Sequence, residues 1–253
     1  MFSEAIVRTP CRAMVNGLSS AGLGVPDYAT ALGQHREYTR ALQACGLKVT
    51  VLPPDEAFPD STFVEDAALL TPRCAVITRP GAVSRRQETV SMRGAVNSLY
   101  DKVEHIAAPG TLEGGDVLMV EEHFFIGLSG RTNIEGARQL IAILEEYGMT
   151  GSVIGLEEVL HLKTGVSYLE NGHLLACGEF TGVRDFQQFQ ILEVAPDEAY
   201  AANSLWLNGA VLVPAGYPRS SAMIADAGYE VLEVDVSEFR KLDGGLSCLS
   251  LRF

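Results

Sequence analysis

The chain lacks much of what several large protein classes require. Its five cysteines, Cys11, Cys45, Cys74, Cys177 and Cys248, are odd in number and form no C-x-x-C pair. That spacing suits neither a disulfide scaffold nor a zinc cluster, and points to free thiols in a reducing, cytoplasmic setting. There is no Lys/Arg run, and 19 basic residues face 32 acidic ones, for a net charge of −13. Nucleic-acid binders carry a basic face, so no such partner is expected. Apolar stretches are broken by charge, Gly or Pro well before ~18 residues, so no membrane-spanning helix is expected. The opening MFSEAIVRTP has neither a basic n-region nor an apolar h-region, and is not read as a signal peptide. No phosphate-binding G-x-x-x-x-G-K-[ST] occurs, and EGGD is too short for a dinucleotide loop, so no cofactor is indicated.

What the chain does have is repetition. An apolar run, a short polar break and a second apolar run recur as DAALL-TPR-CAVIT, DVLMV-EEH-FFIGL, GVSYL-ENG-HLLAC and SLWL-NG-AVLVP. A fifth, partial copy is CLSLRF at the C-terminal end, for which EAIVR near the start could supply the partner. β-Rich runs KVTVL, KVEHI, SVIGL, QILEV and YEVLEV complete the units. The unit starts Asp66, Asp116, Gly165, Asn203 and Cys248 lie 50, 49, 38 and 45 residues apart. A period near fifty implies a closed or stacked array, read here as one domain over residues 1–253. Hairpin turns are signalled at Glu170-Asn171-Gly172 and Asn208-Gly209. Helical periodicity covers 27–45 and 133–147, with Thr132 or Asn133 as cap of the latter, and a shorter 219–227. It is weaker over 84–99 and amounts to a turn or two over 183–189. Each unit therefore reads ββαβ, and no unit can bury both faces alone. Segment 16–26, NGLSSAGLGVP, reads equally as a mobile flap or an ordinary surface loop.

A ring of five units would carry the polar residues at the unit starts to one axis. A lone cysteine is most often structural, but two glycines precede Cys248 in DGGLSCLSLRF and permit a close backbone approach. His161 taken alone is as easily a satisfied core histidine. Paired through the repeat with Cys248, it becomes the best acid/base candidate. His35, His105, His123 and His173 are expected in surface or helix-face roles. VED and EGGD lead into strong apolar strands, where a carboxylate is costly unless paired or functional. Several carboxylates in a concave pocket select a cation, and a guanidinium matches their geometry best. Arg85, Arg86 and Arg131 lie in loops, either solvated or holding a substrate carboxylate. A cationic head, a carboxylate tail, a thiol and an imidazole together describe an arginine-like substrate attacked at its guanidino carbon.

FPDSTFVED, the SRR loop, TLEGGD, GRTNIEGARQ, LHLKTG, PAGYPR and DGGLSCLSLRF cover nearly the whole chain. Together they resemble the dimethylarginine dimethylaminohydrolase family in its small bacterial form. The resemblance implies the five-bladed α/β propeller of the guanidine-modifying enzymes, with ββαβ units around a central active-site channel. It also implies hydrolysis of Nω-methylated arginine to citrulline and a methylamine, without metal or cofactor. By motif, Cys248 would be the nucleophile, His161 the general acid/base, and Glu113 and Asp66 the grip on the guanidinium. Asp60, Phe63 and Glu65 would shape that end of the pocket, and Arg85 and Arg131 would meet the substrate carboxylate. Leu18 and Leu242 would offer backbone carbonyls to its α-amino group. Gly114 of EGGD stands where some relatives carry another small residue. A small-molecule substrate is the only partner implied; a homodimer is left open. Arginine deiminase, agmatine deiminase and the non-catalytic five-fold ribosome anti-association factor are the competing readings.

Overall fold

Alternating apolar residues around a polar break fold as antiparallel hairpins, and a third strand returns parallel through a crossover in every repeat. The computed structural model describes residues 1–157 and 159–253. The strands are β1 (Glu4–Arg8), β2 (Lys48–Leu52), β3 (Ala68–Leu70), β4 (Ala75–Ile77), β5 (Val103–His105), β6 (Val117–Val120), β7 (His123–Leu128) and β8 (Thr150–Gly155). They continue with β9 (Val166–Tyr168), β10 (His173–Ala176), β11 (Gln190–Glu193), β12 (Leu205–Leu207), β13 (Ala210–Pro214), β14 (Glu230–Val234) and β15 (Leu251–Arg252). They form five three-stranded sheets, ordered β15-β1-β2, β3-β4-β5, β6-β7-β8, β9-β10-β11 and β12-β13-β14. In each, the middle strand pairs antiparallel with one neighbour and parallel with the other, as β7 does with β6 and β8. Parallel pairing requires a crossover, which explains the helical stretch in each repeat. EAIVR does complete the split unit, since β1 pairs antiparallel with β15.

By contacts, the chain divides into two compact units, Met1–Phe63 with Gly165–Phe253, and Val64–Thr164. The first contains three of the sheets. Its helices are α1 (Tyr28–Ala44), the short α5 (Pro218–Asp226) and α6 (Ser237–Arg240). Tyr38, Leu42, Leu207, Phe239 and Leu249 fill one of its cores, and Leu175, Val211 and Ile224 another. The second unit contains two sheets, with α2 (Glu88–Asn97), α3 (Ile134–Glu146) and all but the last residue of the single turn α4 (Leu162–Gly165). Leu140 and Leu144 of α3 pack there on Phe124 and Ile126 of β7.

The long helices begin where their caps dictate. Asp27 accepts from the Thr30 N–H, and Asn133, rather than Thr132, from that of Gly136. The weak stretch 84–99 resolves into a 3-10 turn at Val83–Arg85 and α2. Segment 183–189 holds a turn at Arg184–Phe186. His35 takes a helix-face role on the buried side of α1, at 3% exposure, and burial lowers its pKa to about 4.

Candidate active site

A feature not anticipated from sequence places the polar residues. A short helical turn precedes the first strand of every repeat. Glu65 and Asp66 lie on Val64–Ala67, and Glu113 heads Gly114–Asp116. His161 precedes α4, Asn203 follows Pro196–Ala202, and Cys248 lies on Ser247–Leu249.

In the second unit these turns assemble one buried cluster. Glu113 is fully buried; its Oε2 lies 2.8 Å from His161 Nε2. Its Oε1 accepts from the Ala82 N–H at 3.2 Å and from Arg131 at 3.4 Å. Asp66 Oδ1 accepts from the Gly115 N–H at 2.9 Å, and Oδ2 from Arg85 at 2.6 Å. Arg85 also donates from Nη2 to Glu88 at 2.8 Å, so this guanidinium is buried against two acids. Lys163 meets Glu65 at 2.5 Å.

Burial alone would hold His161 neutral. The Glu113 hydrogen bond and the charges of Asp66, Asp116 and Glu113 outweigh it and raise the imidazole pKa to about 9. Burial likewise opposes ionisation of Asp66, but the Arg85 and His161 cations lower its pKa to about 2. At neutral pH the cluster is therefore an imidazolium held by carboxylates, a proton donor rather than an acceptor. Asp66, Glu113 and His161 also offer ligand atoms within 4.8 Å of one another. A metal ion there would have to displace Arg85 and His161 from their carboxylates. A guanidinium can share the lone pairs that remain.

Glycine makes the close approach possible. A Cβ on Gly114 would run into the carbonyl oxygen of Glu65, and one on Gly115 would stand 3.0 Å from both Asp66 Oδ1 and His161 Cγ. Gly114→Ala is expected to destabilise the protein by about 1–3 kcal/mol, because rigid backbone must shift. A thermal unfolding midpoint equal to wild type would contradict this.

In the first unit, Cys248 is partly buried, and the Gly245 N–H donates to its Sγ at 3.4 Å. Its loop is fixed from four sides. Tyr38 donates to the Leu246 carbonyl at 2.8 Å, and Tyr200 to that of Gly244 at 2.7 Å. Asn203 accepts from Ser247 N–H and donates to Ser247 Oγ, both at 3.0 Å, and Arg252 donates to the Ser247 carbonyl at 3.1 Å. Asn203 stood out in sequence only as the start of the fourth repeat; its role as a brace for the cysteine loop needed coordinates. Asp60 Oδ1 accepts from the Leu18 N–H at 3.0 Å. Ser19 and Ser20 bond to Lys241 and Asp243, so 16–26 runs beside Leu242. Phe63 lies edge-on to Phe239. The residues named from sequence thus fall into two groups. Glu65, Asp66, Arg85, Glu113, Arg131 and His161 belong to the second unit, and Leu18, Asp60, Phe63, Leu242 and Cys248 to the first.

Comparison with known proteins follows the same lines. A family model described as N,N dimethylarginine dimethylhydrolase, eukaryotic, matches residues 27–171. The N(G),N(G)-dimethylarginine dimethylaminohydrolase of Pseudomonas aeruginosa is 60% identical, covering 100% of both chains. That of Streptomyces coelicolor is 37% identical over 98% of this chain and 96% of its own. The crystal structure of a cysteine-to-serine mutant of the Pseudomonas aeruginosa enzyme, complexed with citrulline, superposes with TM-score 0.99 at 59% identity and full coverage of both chains. The five sheets and their helices make the fold a five-bladed α/β propeller. The chain belongs to the dimethylarginine dimethylaminohydrolase family, hydrolases of amidine C–N bonds.

Proposed function

We propose that this protein hydrolyses Nω-methylated L-arginine, asymmetric dimethylarginine and monomethylarginine, to L-citrulline and dimethylamine or methylamine, acting as one catalytic domain. The observation that carries the reading is the buried His161–Glu113–Asp66 set, an acid beside paired carboxylates. Cys248 as thiolate adds to the guanidino carbon. His161, cationic at neutral pH, passes its proton to the methylated nitrogen as the C–N bond breaks. An S-alkylthiouronium remains on Cys248. The imidazole then takes a proton from water as the oxygen adds to the same carbon. The C–S bond breaks, the remaining hydroxyl proton passes through solvent to the released amine, the ureido product leaves, and thiolate and imidazolium are restored. Glu113 and Asp66 offer lone pairs to the guanidinium, with Asp60, Phe63 and Glu65 shaping that end. Arg131 and Arg85 provide positive charge for the substrate carboxylate, and Leu18 and Leu242 offer carbonyls to its α-amino group.

Incubation with asymmetric dimethylarginine followed by colorimetric detection of citrulline tests the reading; no citrulline above the buffer control overturns it. Arg131, partly exposed and bound to Glu113 only at 3.4 Å, offers the clean probe of the carboxylate end. Arg131→Ala is expected to raise KM about ten- to a hundredfold and leave kcat nearly unchanged, since that contact serves ground and transition states alike. Agmatine, which lacks the carboxylate, should be a poor substrate for wild type and unaffected by the variant. Equal turnover of agmatine and methylarginine would remove the arginine from this role. Arg85→Ala is a different experiment, because it strands two buried carboxylates and is expected to cost stability first. Five free thiols suit a cytoplasmic location, and among the described residues no helix is long and apolar enough to cross a membrane. The net charge of −13 suits a small-molecule partner rather than a nucleic acid.

A further inference from the structure

Asp116, which closes the EGGD motif, has no part in the reaction as derived above, yet it is fully buried and central to the second unit's bonding. Its Oδ1 accepts the Leu162 N–H at 3.0 Å, the peptide group immediately after His161. Its Oδ2 accepts from Ser129 Oγ at 2.7 Å, and the Thr132 hydroxyl bonds to it as well. The two hydroxyls are themselves occupied. Ser129 Oγ accepts the N–H groups of Arg131 at 2.9 Å and Thr132 at 3.2 Å. Thr132 Oγ1 accepts the Glu113 N–H at 3.1 Å. One carboxylate therefore ties together the backbones that carry His161, Glu113 and Arg131. Every group facing it is a donor, and at zero exposure it meets no substrate.

We propose that Asp116 is a positioning residue for the hydrolysis. Through Leu162, Ser129 and Thr132 it sets where the His161 imidazole, the Glu113 carboxylate and the Arg131 guanidinium stand relative to one another. The proposal rests on the function assigned above. Proton delivery to a departing amine tolerates little misplacement, and an error near 1 Å in such a group can cost about a hundredfold. A fully buried carboxylate has to be repaid by its bonds, and this one spends all of them on the framework of the site.

Asp116→Asn keeps the shape and removes one acceptor. The new NH2 must face either the Leu162 N–H, which cannot accept, or a Ser129 oxygen already accepting twice. One tether is lost whichever way the amide turns. The test measures kcat and KM for asymmetric dimethylarginine from about pH 6 to about pH 10, normalised to titrated Cys248. It also follows the His161 imidazole by NMR. The charged groups facing that imidazole are Glu113, Asp66 and Asp116, all in its own unit. Asp116→Asn is expected to lower kcat about ten- to a hundredfold. It should also move the His161 titration, and with it the alkaline limb of kcat/KM, to lower pH. Loss of stability alone would change neither the limb nor the kcat of the titrated active fraction. Ser129→Ala, which leaves the charge in place, should instead raise KM several-fold by freeing the Arg131 loop, with the limb unmoved. A folded Asp116→Asn enzyme with wild-type kcat and an unshifted limb overturns the proposal. Should that variant not fold, wild-type kinetics in Ser129→Ala do so. If the wild-type protein makes no citrulline, the assigned function fails, while the NMR titration still decides whether Asp116 acts on His161.

Discussion

Cys248→Ser is expected to lose at least about four orders of magnitude in citrulline formation, the largest effect of any single substitution in this chain. The reason lies as much in His161 as in the sulfur. A serine hydroxyl attacks carbon only with a strong base beside it, and an imidazole with a pKa near 9 is already protonated at neutral pH. On the function proposed above, no base is free to activate a hydroxyl, whereas a thiol, much the stronger acid and nucleophile, needs less help. The substitution is otherwise mild. Cys248 is only partly buried, and the loop around it is held by Tyr38, Tyr200, Asn203 and Arg252 through atoms the substitution does not touch. The unfolding midpoint should stay within a few degrees of wild type while turnover vanishes. Mass spectrometry of the wild-type protein quenched during turnover should show an adduct on the peptide containing Cys248. Wild-type-like turnover in Cys248→Ser would remove the thiol from the mechanism.

The repeat pattern was legible because hairpins declare themselves. Asn208 and Gly209, at φ of 53° and 107°, adopt left-handed backbone at the turn where the sequence placed it, as Glu170, Asn171 and Gly172 do. Helices α1, α3 and α5 showed through their periodicity and through stop glycines, with Gly46, Gly148 and Gly228 all at positive φ. The turns that carry the polar residues did not show. Three or four residues hold too little periodicity to mark a helix, so Val64–Ala67 and Gly114–Asp116 read as the starts of strands. The charged residues singled out from sequence were visible one by one, but their pairing depends on side-chain direction. Arg85 illustrates this: nothing in the sequence shows that its guanidinium is buried against Asp66 and Glu88. Glu88, three residues on, was lost within a weak helical stretch. Asp116 and Asn203 were visible as polar residues at equivalent points of the repeat. That each braces a neighbouring loop through backbone N–H groups is a fact of tertiary structure, with no trace in local pattern.

Glu113→Gln should lower kcat/KM by about a hundred- to a thousandfold, on the order of 3–4 kcal/mol, as expected when one partner of a buried charge pair is neutralised. Two effects combine. Glu113 Oε1 accepts from the Ala82 N–H and from Arg131, and Oε2 meets His161. If the glutamine oxygen turns to the imidazolium, its NH2 faces those two donors, and if it turns away, the imidazolium loses its acceptor. The charge matters as well, because the Glu113 hydrogen bond is the largest of the influences that raise the His161 pKa to about 9. Without it burial pulls the pKa down, so the proton needed by the departing amine is lost at lower pH. The alkaline limb of kcat/KM should therefore shift toward neutrality. The same linkage acts on folding. An imidazole whose folded-state pKa lies above its ordinary 6.5 stabilises the native protein fully below that value, and this contribution fades as pH rises through about 9. Wild type should lose stability across that interval, whereas Glu113→Gln, with a lower folded-state pKa, should begin the loss at the same pH, finish it sooner and lose less in total. Unfolding by urea at several pH values, beside the kinetic profile, reads both. An unmoved alkaline limb with near-wild-type kcat/KM would show that Glu113 neither holds nor charges the acid.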